Sequence, residues 1–216
     1  MGKLGLGCVA LIVVLAVIVG ISMAGTYNRL VGLSQEVDKQ WGQVENVYQR
    51  RADLVPNLVA TVQGAAAFEK STLEAVTQAR ASVGRAQVSA PTAPTDPAQM
   101  AQFEAAQAQL GAALQRLLVV VERYPELKAN QNFRDLQAQL EGTENRIAVE
   151  RNRYNEVAQA YNTVRLRFPT NLFASMFGFK EKAYFKAITP GAERAPQVQF
   201  DFRNATPVAP APAPAQ

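Results

Sequence analysis

The residues between Phe133 and Phe168 carry large apolar or aromatic side chains at intervals of seven. This row consists of Phe133, Leu140, Ile147, Tyr154, Tyr161 and Phe168, and a companion row consists of Leu136, Thr143, Glu150, Val157 and Val164. Such spacing, held without a slip of phase, is typical of a long helix in a bundle or coiled coil. The sequence shows no sustained alternation of apolar and polar residues that would predict a sheet before residue 185.

A similar stripe begins at Leu30 and predicts the first helix of the folded region, with an end near Gly64. Its phase continues through Pro56, which favours one long helix that bends at the proline. The alternative is that Asp53 caps a new helix near Pro56.

Two helices are predicted between these long ones. Ser71 and Glu74 have the spacing of a capping box, so a second helix is expected to start there and run to about Gln87. Residues 98–122 carry an apolar face and predict a third helix that Pro125 closes.

The N-terminal stretch from Leu4 to Asn28 contains no charged residue, and Leu4 to Ala24 is almost continuously aliphatic. A helix of that length spans roughly 31 Å, the thickness of the hydrocarbon core of a bilayer. A membrane-spanning helix is therefore expected; a cleaved signal peptide ending at Ala24 and a buried soluble helix are the alternatives. Basic residues flank both ends equally, so the orientation is not determined.

Composition excludes several chemistries. The 216 residues include no histidine and one cysteine, which leaves no histidine base, no Cys-His dyad, no ordinary zinc site and no internal disulfide. Apolar residues make up 48% and charged residues 19%, enough for a packed core. The net charge of +4 is mild and its basic residues are interspersed with acidic ones, so nucleic acid is not an expected partner.

These features divide the chain into four parts. Residues 1–26 are the expected transmembrane anchor, and residues 27–168 the helical bundle, with a loop at about 88–97. Residues 169–202 form an aromatic and basic C-terminal segment. Residues 203–216 are rich in proline and alanine and are expected to be a disordered tail.

Two charged residues, Arg51 and Glu150, interrupt the apolar rows. Their aliphatic stems could be buried at the edge of each stripe while their charged groups stay in water. Alternatively, the two side chains meet inside the bundle and fix its register.

Several motifs resemble the LemA family of bacterial membrane-anchored helical proteins. They are Tyr27-Asn28-Arg29-Leu30-Val31, Trp41, residues 49–59 (QRRADLVPNLV), residues 124–130 (YPELKAN), residues 140–147 (LEGTENRI), Arg153-Tyr154-Asn155, Tyr161-Asn162, Arg167-Phe168-Pro169 and Phe177-Gly178-Phe179. The resemblance covers residues 27–186; the Ala-rich stretch at 64–68 and the tail depart from it. It implies an all-α fold, in which an N-terminal transmembrane helix is followed by an antiparallel four-helix bundle with long helices. It implies little about chemistry, because the family is mostly without an assigned activity. Related proteins include one involved in forming magnetosome membranes.

Polar residues within these motifs are candidates for a structural or partner-binding role. They are Arg50, Asp53, Pro56, Asn57, Glu144, Asn145 and Arg146. A bend at Pro56 leaves backbone carbonyls that need donors, which favours the structural role.

Aromatic and basic residues are concentrated after the last long helix, where four antiparallel helices would return the chain to the membrane. The candidates for a membrane interface are Phe173, Phe177, Phe179, Lys180, Tyr184 and Phe185. Aromatic rings with flanking cations suit the headgroup region. The alternative is that these rings close the end of the bundle.

The sequence therefore predicts a non-enzymatic, single-pass protein of the bacterial inner membrane, without cofactor or metal, that acts as a scaffold or adaptor. The alternative is a membrane-organising protein that acts through self-association and its aromatic segment. Expected partners are the lipid bilayer, other membrane or envelope proteins and further copies of the chain. The side of the membrane, the specific partner and the biological process are not determined by the sequence.

Overall fold

A single helix of 62 residues, α1 (Gly2–Gln63), runs from the apolar N-terminal stretch far into the folded region. The computed structural model describes residues 2–64, 69–88 and 92–186. The remaining helices are α2 (Lys70–Val88), α3 (Pro97–Val121), α4 (Pro125–Ala129), α5 (Gln131–Leu166) and α6 (Thr170–Met176). Within the described residues there is no strand, so the all-α prediction is confirmed for them.

The apolar part of α1 is long enough to cross a membrane by length and composition, with a mean hydropathy of 2.0 in its most apolar window. None of the residues in that window is buried inside the protein; Leu11, for example, is 63% exposed. A run of exposed leucine, isoleucine and valine needs an apolar environment outside the chain.

The helix boundaries follow the sequence signals except at the start of α2, at the end of α5 and in the two short helices. The amide of Ala98 donates to the Asp96 carboxylate at 2.8 Å, and the amide of Phe133 donates to the Asn130 side chain at 3.3 Å. Helices α3 and α5 therefore both have N-caps. The capping-box prediction at Ser71 is wrong, because α2 already begins at Lys70. The short helices α4 and α6 were not predicted. The predicted tail and residues 187–202 lie outside the described residues.

Helices α1 and α5 run antiparallel, as their paired side chains show. Gln40 Nε2 donates to Glu150 Oε2 at 2.7 Å, whereas Arg51, farther along α1, bonds to the earlier residue Glu144. Phe103 of α3 contacts Trp41 and Tyr48 of α1, with ring centroids 5.2 Å apart in both pairs.

The apolar core consists of two clusters, separated at one level on three helices. On α1 the first cluster ends at Tyr48 and the second begins at Val55, with buried Arg51 between them. Gln107 of α3 and Thr143 of α5 are the buried polar residues at the corresponding positions.

The helix α1 continues through Pro56, so the prediction of one helix is confirmed. Proline has no N–H, and the carbonyl of Ala52 one turn earlier therefore loses its usual helical donor. Arg80 of α2 supplies a substitute: its Nε donates to the Ala52 carbonyl at 2.9 Å. The donor expected among residues on α1 and α5 thus comes from α2 instead.

A double-mutant cycle tests this substitution. We expect Arg80→Met to lower the free energy of unfolding by about 1 kcal/mol in the natural chain, because it leaves the Ala52 carbonyl without a protein donor. In the Pro56→Ala background the alanine introduced at this position has an amide that supplies the bond, and the same change should cost much less. Urea denaturation followed by circular dichroism measures both. Equal costs in the two backgrounds would show that Arg80 acts independently of the proline.

Candidate functional site

A cluster of exposed apolar side chains lies where α5 ends and α6 follows. It is called the apolar end surface here and consists of Leu166 (60% exposed), Phe168 (80%), Leu172 (59%), Met176 (61%) and Phe177 (43%). Exposed apolar side chains grouped in this way mark contact with a membrane or another protein.

The apolar end surface lies beside the point where the apolar stretch of α1 ends. Tyr27 of α1 packs edge-on against Phe177 and Phe179, with ring centroids 5.2 and 5.7 Å apart. Tyr27 lies at the end of the uncharged run, so a bilayer around that run would place its surface close to Phe177. The exposed cations Arg29, Arg167 and Lys180 lie within two residues of Tyr27, Phe168 and Phe179, respectively.

The predicted membrane-interface residues fall into three groups. Phe177 and Lys180 are exposed near the end of the apolar stretch of α1, while Phe173 and Phe179 are partly buried. Tyr184 is 39% exposed, but it lies beside Asn155, about 15 Å along α5 from Arg165.

Phe185 departs from the membrane-interface prediction. Its ring is only 5% exposed and packs against Trp41, Tyr154 and Phe103, with centroids 5.3 to 6.3 Å apart. The guanidinium of Arg151 lies 4.6 Å from its centroid. A ring held in this way closes the core and is not available to lipid.

Three members of the apolar end surface were not predicted from the sequence: Leu166, Leu172 and Met176. Phe168 was counted in the core row of the heptad, but α5 ends at Leu166 and Phe168 is exposed. The available signal was that Leu166 is apolar although it belongs to neither heptad row.

The buried guanidinium of Arg51 connects three helices. Its Nη1 donates to Glu144 Oε1 at 3.0 Å, and its Nη2 donates to the carbonyl oxygen of Gln107 at 3.1 Å and to the side-chain oxygen of the same residue. The cation also lies 5.1 Å from the ring centroid of Tyr48. Arg51 is therefore held inside the helices, and its ionic partner is Glu144 rather than Glu150.

A second ion pair joins α5 to α3 two turns farther along α5. Arg151 Nη2 lies 2.7 Å from Glu104 Oε1, and both side chains are largely buried. Glu150 instead lies 2.8 Å from Arg153 on its own helix and accepts the bond from Gln40.

The other polar candidates face outward. Arg50, Asp53, Pro56, Asn57, Asn145 and Arg146 are all exposed. The Asp53 carboxylate accepts a hydrogen bond from Gln49 at 2.8 Å, and the Asn57 carbonyl accepts one from Thr61. These are local contacts on α1. The exposed candidates on α1 and α5 therefore remain a predicted surface for a partner protein.

The Arg51 network gives a matched comparison on α5. We expect Glu144→Gln to lower the free energy of unfolding by about 1–2 kcal/mol, because the buried cation loses its carboxylate bond to Glu144. Glu150→Gln removes a carboxylate from the same helix without leaving a buried charge, and it should cost less than about 0.5 kcal/mol. Urea denaturation of both variants is the measurement; equal costs would contradict a special role for Glu144.

The chain returns along α5 after α6 as a non-helical segment, residues 179–185, which we call the strap. Asn162 donates to the carbonyl of Lys182 at 2.9 Å and accepts from its amide at 3.0 Å. Asn155, seven residues earlier, does the same with Phe185 at 3.1 and 2.9 Å. Each asparagine side chain thus satisfies both backbone groups of one strap residue.

Three further α5 side chains donate to strap carbonyls. They are Tyr154 to Ala183 at 2.9 Å, Tyr161 to Lys180 at 2.8 Å, and Arg165 Nε to Phe179 at 3.0 Å. On the other side, the Ala183 amide donates to the Pro94 carbonyl at 2.9 Å. Lys182 Nζ forms an ion pair with Asp38 of α1 at 2.8 Å.

Burial raises the pKa of the Tyr154 hydroxyl well above its usual value, and the charge of Asp38 adds to this. Burial likewise raises the pKa of Tyr161, partly offset by Arg165. Both hydroxyls therefore remain protonated donors to the strap.

We expect stability to fall as the pH rises above about 10, because unfolded tyrosine then loses a proton that the folded protein retains. Below that pH the contribution is fully present; it is lost as the pH rises toward the folded pKa. Tyr154→Phe should lower stability at pH 8, since the Ala183 carbonyl loses its donor, but should flatten the alkaline decline. Urea midpoints from pH 8 to 11, read by Trp41 fluorescence, test this. Parallel curves for the two chains would contradict it.

The described residues contain no group of three or more His, Cys, Asp or Glu side chains that could hold a metal ion. These residues instead form the apolar end surface, the network around the buried guanidinium of Arg51, and the strap that α5 holds by its main chain. These elements are suited to contact and positioning.

Known proteins include relatives that align with most of this chain. Two proteins of Paramagnetospirillum magneticum, Magnetosome protein MamQ 1 and Magnetosome protein MamQ 2, are each 30% identical over 203 residues, which covers 85% of this chain and 75% of theirs. Magnetosome protein MamQ of Magnetospirillum gryphiswaldense is 28% identical over 202 residues, covering 85% of this chain and 74% of its own. None of these names denotes an enzyme. The model of the LemA family matches residues 40–200, and the chain therefore belongs to the LemA family.

Proposed function

We propose that this protein is a non-enzymatic scaffold or adaptor of the bacterial cell envelope, anchored by a single helix in the inner membrane. In this proposal α1, α2, α3 and α5 form an antiparallel four-helix bundle that presents surfaces to other envelope proteins. The observation that carries it is that the apolar stretch and the first bundle helix are one continuous helix, with the apolar end surface beside their junction.

The continuity of α1 supports a bundle that rests on the bilayer. A loop between anchor and bundle would let the bundle move away, whereas a continuous helix keeps Tyr27 and Phe177 near the membrane surface. The exposed polar side chains of Arg50, Asn57 and Arg146 lie farther along the long helices, where they could meet a partner protein.

A fluorescent label tests whether the apolar end surface meets lipid. With Cys8 replaced by serine, a single cysteine at Leu172 or at Gln139 is labelled with a polarity-sensitive dye in the full chain reconstituted in liposomes. Gln139 is an exposed position about 40 Å along α5 from its membrane-side end. We expect blue-shifted emission and quenching by lipid-phase quenchers at position 172 only. Aqueous emission at both positions would contradict a bundle that rests on the bilayer.

The apolar end surface also favours the alternative, a protein that organises the membrane itself. The relatives are magnetosome proteins, which supports a membrane-associated role for the present chain. Vesicle diameter after reconstitution separates the two proposals. A membrane-organising protein should change the diameter, and Leu172→Ser with Met176→Ser should abolish the change; a scaffold should leave the diameter unaltered in both cases.

A further inference from the structure

The strap lies in a groove formed by α5, by Asp38 and Trp41 of α1 and by Pro94. This groove recognises the main chain of an extended peptide. Asn155 and Asn162 each bond the amide and carbonyl of one strap residue, and these residues are three apart. Main-chain bonding of this kind gives affinity for any extended segment, while pockets for individual side chains give specificity. The groove does not require that the segment belong to the same chain.

Two side chains of the strap have specific partners in the groove. Lys182 is only 7% exposed and pairs with Asp38, and Phe185 fills the aromatic pocket beside Trp41. Ala183 between them is buried, so there is little room for a large residue. The groove therefore selects the pattern Lys-Ala-x-Phe, which occurs in this chain at residues 182–185 and nowhere else.

The strap is joined to α6 through Gly178, whose φ of +75° is one that residues with a side chain rarely adopt. A change of backbone angles at this glycine would re-aim the strap without altering α5. Copies anchored in one membrane also meet at high local concentration. Exchange of an identical element between copies is a low-cost route to a dimer.

We propose that the strap of one copy occupies the groove of a second copy, so that reciprocal strap exchange links membrane-anchored chains. This deepens the membrane-organising alternative, which the sequence predicts to act through self-association, and rests on it. Every contact of the closed chain is kept in the exchanged pair, including the Asn155 and Asn162 bonds and the Lys182–Asp38 ion pair. The connection through Gly178 is what changes.

Charge reversal tests the exchange in full-length chains. Asp38→Lys and Lys182→Asp each place like charges together when the strap stays in its own groove. Each of the two closed variant chains contains one like-charge pair, whereas a mixed pair with exchanged straps contains none. The groove with the lysine at position 38 receives the aspartate at position 182, and the natural groove receives the natural strap. Two differently tagged chains are co-expressed, solubilised in mild detergent and purified through one tag. We expect the D38K chain to retain the K182D chain about tenfold more than it retains another D38K chain, because opposite charges meet only in that pair.

The double variant D38K/K182D is the matched control, since it restores an opposite-charge pair within each chain. Its self-association should equal that of the natural protein. Equal recovery of matched and mismatched partners would overturn the proposal, even if copies associate through another surface, and it would leave the scaffold proposal standing.

A second measurement covers charge-reversed chains that fail to accumulate. A photo-crosslinking amino acid replaces Tyr184, an exposed strap residue, in an isotopically mixed population of otherwise natural chains. Exchange predicts heavy–light crosslinks from position 184 to α5. Crosslinks to α5 found only within one chain would overturn the proposal.

Discussion

The structure depends on the continuity of α1. A helix that is apolar on all sides up to residue 24 becomes, without a break, a helix with one buried face from Leu30 onward. The rotation of the folded region about the helix axis is therefore fixed relative to the apolar stretch. Every element that packs on α1 inherits that orientation. Tyr27 thus brings Phe177 to the level at which the apolar stretch ends, and α6 extends from there. A flexible linker in the same place would leave the apolar end surface without a fixed position relative to the apolar stretch of α1.

A polar layer formed by Arg51, Gln107 and Glu144 explains why helices with repetitive apolar faces pack in one register. A stripe with a period of seven residues packs almost equally well when one helix slides by a heptad, so apolar contacts alone discriminate poorly. Burying Arg51 makes a slide costly, because the cation would lose both Glu144 and Gln107 and meet apolar side chains instead. Such a layer contributes little net stability compared with an apolar one. Its physical effect is to exclude alternative registers of the helices.

The sequence determines the helices far better than it determines their contacts. Periodicity predicted α5 closely and carried α1 through Pro56, because both depend on the phase within one helix. The partner of Arg51 depends on the stagger between helices, which a single stripe does not contain, and Glu150 was therefore considered in place of Glu144. Phe168 keeps the heptad spacing, but the helix has ended before it. The strap contacts left one visible trace, the dipeptide Tyr-Asn repeated at 154 and 161. These tyrosine and asparagine side chains can bond the strap only because the chain returns along α5, and no local sequence pattern predicts that return.

The strap and the apolar end surface are mechanically connected. Helix α6 has seven residues, too few to be stable alone, and of its residues only Ala174 is buried. It is held between the end of α5 and the strap, whose bonds to Arg165 and Tyr161 begin directly after Gly178 and anchor its C-terminal side. The exposed side chains of α6 are thereby ordered before they meet any partner, and binding need not bear the entropy of ordering them. Because strap exchange preserves these same bonds, an exchanged pair would keep both apolar end surfaces ordered. Association of copies through strap exchange is therefore compatible with contact between the apolar end surfaces and a bilayer.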